Sequence, residues 1–306
     1  MQSGKHAAPR LTSCNNHRRI RGDPGAALKE QSMIPNTVTS NFKAEALTDE
    51  RLRLEAPSIF ASGPMTGLSE RYAFVPTTEI VGGLRHKHWL PVSVEQQRVR
   101  TAARFGFQKH LIRFRRAEQM QTLDEWNEEL VLTNSHDAGC AYLMRVGIYR
   151  RLCSNGLVVS DDTFEAIRFR HAGLKAEEVV QASFRILEYV PRVAALIDNF
   201  RNRKLSQPEA LAFAEQALLL RFDSRDQAPI EPRTLLTPRR PEDQAGDLWT
   251  VFNRVQENLV RGGLSDSRRS QAGRLRSLRS LRGIDSKIIL NKDLWKLAES
   301  MTYYKN

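Results

Sequence analysis

The stretch HLIRFRR, residues 110–116, alternates in the way that a β-strand requires. Successive side chains of a strand point to opposite faces, so Ile112 and Phe114 share one face while Arg113 and Arg115 share the other. Several short strands close together predict an antiparallel sheet in the N-terminal half. Further strand patterns lie at residues 89–94, 129–137 and 163–171. The apolar segment 140–159 fits a buried helix or a buried strand, and its pattern leaves both open.

The pattern changes in the C-terminal half, where apolar residues recur with the period of a helix. Pro191 is expected to kink or divide the first of these helices. Ser206 and Glu209 predict a capping box at the start of another. The most regular helix covers residues 248–259, and a last one is predicted from near Asn291. Strands followed by helices predict an α+β fold, with the sheet packed against the helices of the C-terminal half.

Composition divides the chain into four predicted regions. Net positive charge without a hydrophobic period is typical of a disordered tail, and clustered prolines are typical of an extended connector. The regions are a disordered basic tail at 1–36, an α+β core at 37–228, a Pro-rich connector at 229–246, and a helical C-terminal part of the same domain at 247–306 with a flexible Arg/Ser loop at 264–284.

The overall charge points to a polyanionic partner. The 306 residues carry 47 Lys and Arg against 35 Asp and Glu, a formal net charge of +12. No apolar run approaches the roughly 20 residues of a membrane-spanning helix, so we expect a cytoplasmic protein with no membrane partner. The three cysteines fit neither a disulfide framework nor a thiolate metal site.

Basic and aromatic residues are interleaved between residues 98 and 116. Arginines can follow a phosphate backbone while aromatic rings stack on bases, which is what a single-stranded nucleic acid requires. The alternative is a solvated edge strand that its charges protect from aggregation. The predicted nucleic-acid-binding residues are Arg98, Arg100, Arg104, Lys109, Arg113, Arg115, Arg116, Phe105 and Phe107.

The stretch LTNSHD, residues 132–137, is the densest polar group in the chain. Side chains at the end of a strand are held rigidly and can reach solvent, so His136 and Asp137 are the candidate catalytic residues of a metal-dependent nuclease or other nucleic-acid enzyme. Such an enzyme would use Mg²⁺ or Mn²⁺. The alternative is a turn whose polar groups satisfy the backbone around a packed histidine.

Six stretches together resemble the phage- and plasmid-type family catalogued as domain of unknown function 932, over roughly residues 40 to 300. They are SERYAFVPTTEIV, GFQKHLIRFRR, LVLTNSHD, GIYRRLCSNGLVV, LWTVFNRVQENLVRGG and NKDLWKLAE. The resemblance implies bacterial mobile elements, a cytoplasmic setting and no agreed activity. It assigns the family's characteristic polar positions to Asn134, Ser135, His136, Asp137, Arg150, Cys153, Asn155, Gly156, Asn253, Gln256, Glu257, Asn258 and Asn291. On the helix at 248–259, a polar face of this kind is normally solvated.

The order of elements is also similar to single-strand annealing proteins of the Red beta type, which would imply homo-oligomers. Our leading hypothesis from the sequence is a mobile-element protein that binds or anneals single-stranded DNA in recombination or replication. The enzyme centred on His136 and Asp137 is one alternative. An interaction protein that acts against a host defence factor is another.

Overall fold

An antiparallel sheet forms the N-terminal half of the computed structural model. The model describes residues 45–122, 125–150, 156–158, 166–269 and 273–303, all within one unit from Phe42 to Asn306. The predicted tail at 1–36 lies outside these residues. The strands are β1 (Trp89–Gln96), β2 (His110–Arg116), β3 (Trp126–Asn134), β4 (Tyr142–Arg150), β5 (Gly156–Val158) and β6 (Ile167–Phe169). They follow the order β1-β2-β3-β4-β5, and β6 also pairs with β4.

Helices supply most of the C-terminal half, which confirms the predicted α+β class. They are α1 (Asp49–Glu55), α2 (Thr77–His86), α3 (Ala176–Leu187), α4 (Val190–Asn202), α5 (Gln207–Leu219), α6 (Leu248–Arg261) and α7 (Ile284–Tyr303). Pro191 lies in the first turn of α4, where a proline costs no hydrogen bond, and so divides α3 from α4 as predicted. The capping box of Ser206 and Glu209 opens α5. Among the described residues no helix is long and apolar enough to cross a membrane.

The two faces of the sheet have different surroundings. Ile112 and Phe114 face the main core, which also contains residues of α2, α3 and α6. On the opposite face, Leu111 and Val131 form a smaller apolar cluster with Ile284 at the start of α7. Both faces of the sheet therefore make apolar contacts, and the start of α7 packs against β2, the strand for which the sequence predicted a cationic face.

Three C-terminal features differ from the prediction. The Pro-rich segment 229–246 forms two short 3-10 helices, Pro232–Leu236 and Pro241–Asp243, because it buries Leu235 and Asp243 instead of crossing solvent. Within 264–284, residues Ser265–Arg269 (β7) and Leu275–Ser277 (β8) pair as a hairpin. The last helix begins at Ile284, before the predicted Asn291.

Candidate functional site

The LTNSHD corner is built around a buried hydroxyl that the sequence reasoning did not single out as functional. The N-cap of α2 is Pro76, and the hydroxyl of Thr77, the first residue of the helix, points into the protein. Its Oγ1 lies 3.1 Å from Nε2 of His110 and 3.0 Å from Nε2 of His136. The same atom lies 2.9 Å from the Tyr142 hydroxyl and 3.3 Å from Nδ2 of Asn134. One hydroxyl thus joins α2 to the ends of β2, β3 and β4.

A third imidazole, that of His171, extends this cluster. Its Nε2 lies 3.0 Å from the Asn134 side-chain oxygen, and its Nδ1 lies 3.3 Å from the Ala73 carbonyl. The ring stacks on Tyr72 with 4.5 Å between ring centroids. His171 follows β6, so the cluster draws on five separate segments of the chain, α2 and the ends of β2, β3, β4 and β6, and could not be recognised from sequence spacing.

The environment of the histidines keeps them neutral. Burial, together with the neighbouring imidazole of His136, lowers the pKa of His110 to about 3. Burial and the proximity of His171 lower the pKa of His136 to about 4. Burial also lowers the pKa of His171. Neutral imidazoles that hydrogen-bond to a threonine and an asparagine act here as polar core residues.

Asp137 follows His136 in the sequence but has different hydrogen-bond partners. Its side chain is 1% exposed and forms an ion pair with Arg104, whose Nε lies 2.8 Å from Oδ2. The Gly139 backbone N–H donates to Oδ1 over 2.9 Å. Burial raises the pKa of Asp137, but the nearby Ser135 side chain and the hydrogen bonds from Arg104 and the Gly139 N–H outweigh it and hold the pKa below its ordinary value. His136 and Asp137, the predicted catalytic pair, therefore serve two different networks. Within the described ranges, no three His, Cys, Asp or Glu side chains form a group that could hold a metal ion.

The predicted cationic face of β2 needs a correction. Arg113 and Arg115 both pair with Glu129 of β3, at 2.5 and 2.8 Å. Both guanidinium groups also lie over the Tyr149 ring of β4, 4.6 and 4.8 Å from its centroid. Arg115 is 3% exposed. The neutralising carboxylate comes from the neighbouring strand, so these two arginines form a buried network and not an open surface for phosphates.

Three other predicted cations have partners as well. Lys109 pairs with Asp285 at 2.8 Å, Arg116 with Glu118 at 2.5 Å, and Arg104 with Asp137. The loop between β1 and β2 presents the remaining residues. Arg98 and Arg100 are exposed there, and the Phe105 ring is 57% exposed, whereas Phe107 is half-buried.

A pocket of about 630 Å³ lies at the base of this loop. We call it the cationic pocket, because Arg98, Arg261, Arg282 and Lys287 all line it and none of its lining residues is acidic. The four cations come from the end of β1, the end of α6, the segment before α7, and the first turn of α7. Two of the basic clusters in the sequence, near residues 98–116 and 261–282, therefore meet at one place.

The cations of the pocket differ in their pairing. Nη1 of Arg261 lies 2.7 Å from the Glu257 carboxylate, and Nζ of Lys287 lies 2.8 Å from that of Glu95. Within the described part of the chain, Arg98 and Arg282 have no carboxylate partner. The pocket thus carries uncompensated positive charge at a concave surface, which raises the local potential for an anion.

Comparison with known proteins identifies the family. The model of the family described as "Domain of unknown function (DUF932)" matches residues 64–295. The chain belongs to this family. It is similar to two proteins of Escherichia coli (strain K12), UPF0380 protein YafZ and UPF0380 protein YfjQ. Each is 36% identical over 255 residues, which span 83% of this chain and 91% of the relative. No solved structure matches the chain significantly, and the comparisons give no support to the likeness with annealing proteins of the Red beta type.

The polar residues of α6 that resemble the DUF932 pattern are not solvated, contrary to the prediction. Asn253, Gln256, Glu257 and Asn258 are all buried. Gln256 donates to the Asn291 side chain over 2.9 Å. Asn258 donates to two carbonyls of the Pro-rich segment, and Glu257 pairs with Arg240 and Arg261. The helix is buried on every side because the Pro-rich segment and α7 cover its polar face.

One further position of the DUF932 pattern joins the sheet to the Pro-rich segment. Arg150, at the end of β4, donates to the buried Asp243 carboxylate over 2.7 Å. Gly156 begins β5, while Cys153 and Asn155 lie outside the described residues. Sequence reasoning missed Asp243 and Lys287. Both residues stand among other charges, in RRPED and in GIDSK, and such local charge does not reveal a distant partner.

Proposed function

We propose that this DUF932 protein binds single-stranded DNA at the cationic pocket, as part of recombination or replication in mobile elements. The observation that supports the proposal is the convergence of four cations, from the end of β1, the end of α6, the segment before α7 and the first turn of α7, on one pocket without a lining carboxylate. Lys and Arg side chains that neutralise phosphates supply most of the affinity of proteins for nucleic-acid backbones. A pocket of this composition is suited to a phosphate.

The loop above the pocket favours a single strand over a duplex. It carries Arg100 and the exposed ring of Phe105 in addition to Arg98. An exposed ring can stack on an unpaired base, whereas the bases of a duplex are already stacked on each other. In this arrangement Arg98 and Arg282 contact phosphates, and Phe105 contacts a base.

The test is fluorescence anisotropy with a labelled oligothymidine, the matching duplex and an RNA of the same length. The wild-type protein should bind the single strand most tightly. The double variant Arg98→Gln/Arg282→Gln should lose about tenfold or more in affinity, and the slope of log K against log salt should fall by about 1.4, since each phosphate contact with a single strand contributes about 0.7.

The matched control is Arg71→Gln/Arg170→Gln, which removes the same charge from two exposed arginines outside the pocket. It should leave affinity and salt slope close to wild type. Equal losses in both double variants would show that only net charge matters, and the pocket would then not be the binding site.

A further inference from the structure

The number of unpaired positive charges in the cationic pocket indicates which kind of phosphate it fits. Glu95 pairs with Lys287, and Glu257 is shared between the lining cation Arg261 and Arg240, which does not line the pocket. Arg98 and Arg282 have no carboxylate partner among the described residues. The pocket therefore has a surplus of at least two positive charges, those of Arg98 and Arg282, on guanidinium groups whose planar forks match the oxygens of a phosphate.

A phosphate within a strand and a phosphate at its end differ in charge and in free oxygens. An internal phosphodiester carries one negative charge and has two oxygens free to accept hydrogen bonds. A terminal phosphate monoester carries about −1.5 to −2 at pH 7 and presents three acceptor oxygens. Only the monoester carries close to two charges to balance the two guanidinium groups, and it leaves a third oxygen free once each guanidinium has bound one.

We propose that the cationic pocket binds the terminal phosphate of a DNA strand, so that the protein recognises strand ends. This proposal rests on the proposed function and names the feature of the strand that the pocket selects. Ser280 and Gln97 also line the pocket and can hydrogen-bond the third phosphate oxygen or the adjoining sugar. The volume of about 630 Å³ lies within the range of small-ligand sites, so a terminal nucleotide has room beside its phosphate.

The experiment compares one labelled 12-nucleotide sequence in three forms, phosphorylated at the 5′ end, at the 3′ end or at neither. The label is placed within the strand so that both ends are free. One phosphorylated form should bind about fivefold or more tightly than the unphosphorylated strand, because the extra charge and oxygen add one charge-assisted hydrogen bond. The single variant Arg282→Gln should remove this preference, whereas Arg71→Gln/Arg170→Gln should keep it.

Competition separates a strand end from other phosphate monoesters. Inorganic phosphate and thymidine 5′-monophosphate should each displace the phosphorylated strand only at far higher concentration than the unlabelled phosphorylated strand does. Equal competition by the mononucleotide would make the free nucleotide the ligand and overturn the strand-end proposal.

Two results distinguish failure of this proposal from failure of the proposed function. If all three strands bind with equal affinity, the pocket does not select ends, while binding of single strands stands. If no strand binds, both proposals are overturned. A phosphate preference that persists unchanged in Arg282→Gln would place the end-binding site elsewhere and refute the assignment to the cationic pocket.

Discussion

Lowering the pH from 7 to 5 should destabilise the fold through the buried histidines. The pKa of His110 is lowered to about 3 and that of His136 to about 4, against about 6.5 in an unfolded chain. Between these values the unfolded chain binds more protons than the folded protein. Stability is therefore fully present above pH 6.5, falls as the pH drops through the unfolded pKa, and stops falling only below the folded pKa.

The magnitude follows from these values. A histidine with a pKa near 6.5 in the unfolded chain and near 3 or 4 in the folded protein lowers the free energy of unfolding by about 1.9 kcal/mol between pH 7 and pH 5. His110 and His136 together lower the free energy of unfolding by about 4 kcal/mol. That is a large part of the roughly 5–15 kcal/mol by which an ordinary domain is stable. Carboxylates contribute little in this window, because their unfolded pKa values lie near 4.

The assay is urea unfolding followed by tryptophan fluorescence at pH 7, 6 and 5. The free energy of unfolding should fall by about 4 kcal/mol in the wild type, and by about half as much in His136→Gln, each compared with its own value at pH 7. His86→Gln, at an exposed position, should keep the full effect. Equal free energies at pH 7 and pH 5 in the wild type would refute the reasoning, as would an undiminished loss in His136→Gln.

Three substitutions should change stability at neutral pH, measured by the same unfolding assay. Glu129→Gln leaves Arg113 and Arg115 buried without a counter-charge and should cost about 3–5 kcal/mol. Thr77→Val removes the hydroxyl shared by the histidine cluster and should cost about 2–4 kcal/mol, because several buried polar groups lose a partner. Ala138→Gly should stabilise the protein by up to about 1 kcal/mol, because residue 138 has a φ of 58°, a left-handed conformation that favours glycine.

Matched controls separate these effects from general sensitivity to mutation. Glu118→Gln removes a carboxylate from an exposed ion pair with Arg116 and should cost under about 1 kcal/mol. Thr78→Val changes the neighbouring threonine, which is only half-buried, and should have a much smaller effect than Thr77→Val. Comparable losses at positions 77 and 78 would contradict the role given to the shared hydroxyl, and a destabilised Ala138→Gly protein would contradict the argument from backbone conformation.

The sequence was sufficient for the fold class because local patterns encode it. Alternation in HLIRFRR predicted β2, and apolar residues with the period of a helix predicted α6 within a few residues of its observed ends. Both patterns arise from contacts that every strand or helix makes with a core, so they need no knowledge of the partner. The segment 140–159, whose state was left open, contains β4, because its register with β3 buries one face in the main core.

The candidate site could not be predicted in the same way, because it depends on pairing between distant segments. The sequence shows that Arg113 and Arg115 share a face, but not that Glu129 of the adjacent strand reaches the same face. It shows basic clusters near residues 98 and 282, but not that they meet. Judging each segment by its own charge therefore overestimated the contribution of β2 to a cationic surface. It also underestimated the contribution of the start of α7.

The DUF932 polar residues of α6 place the pocket on a rigid support. Glu257 is 1% exposed and binds Arg261, which lines the cationic pocket, as well as Arg240 of the Pro-rich segment. Gln256 is held through Asn291 to α7, the helix whose first turn supplies Lys287. A buried carboxylate that orients a pocket arginine is a positioning group, since it fixes the cation without touching the ligand. The characteristic polar residues of α6 thus lie beneath the proposed binding surface, and they fix the relative positions of α6 and α7 on which the convergence of its four cations depends.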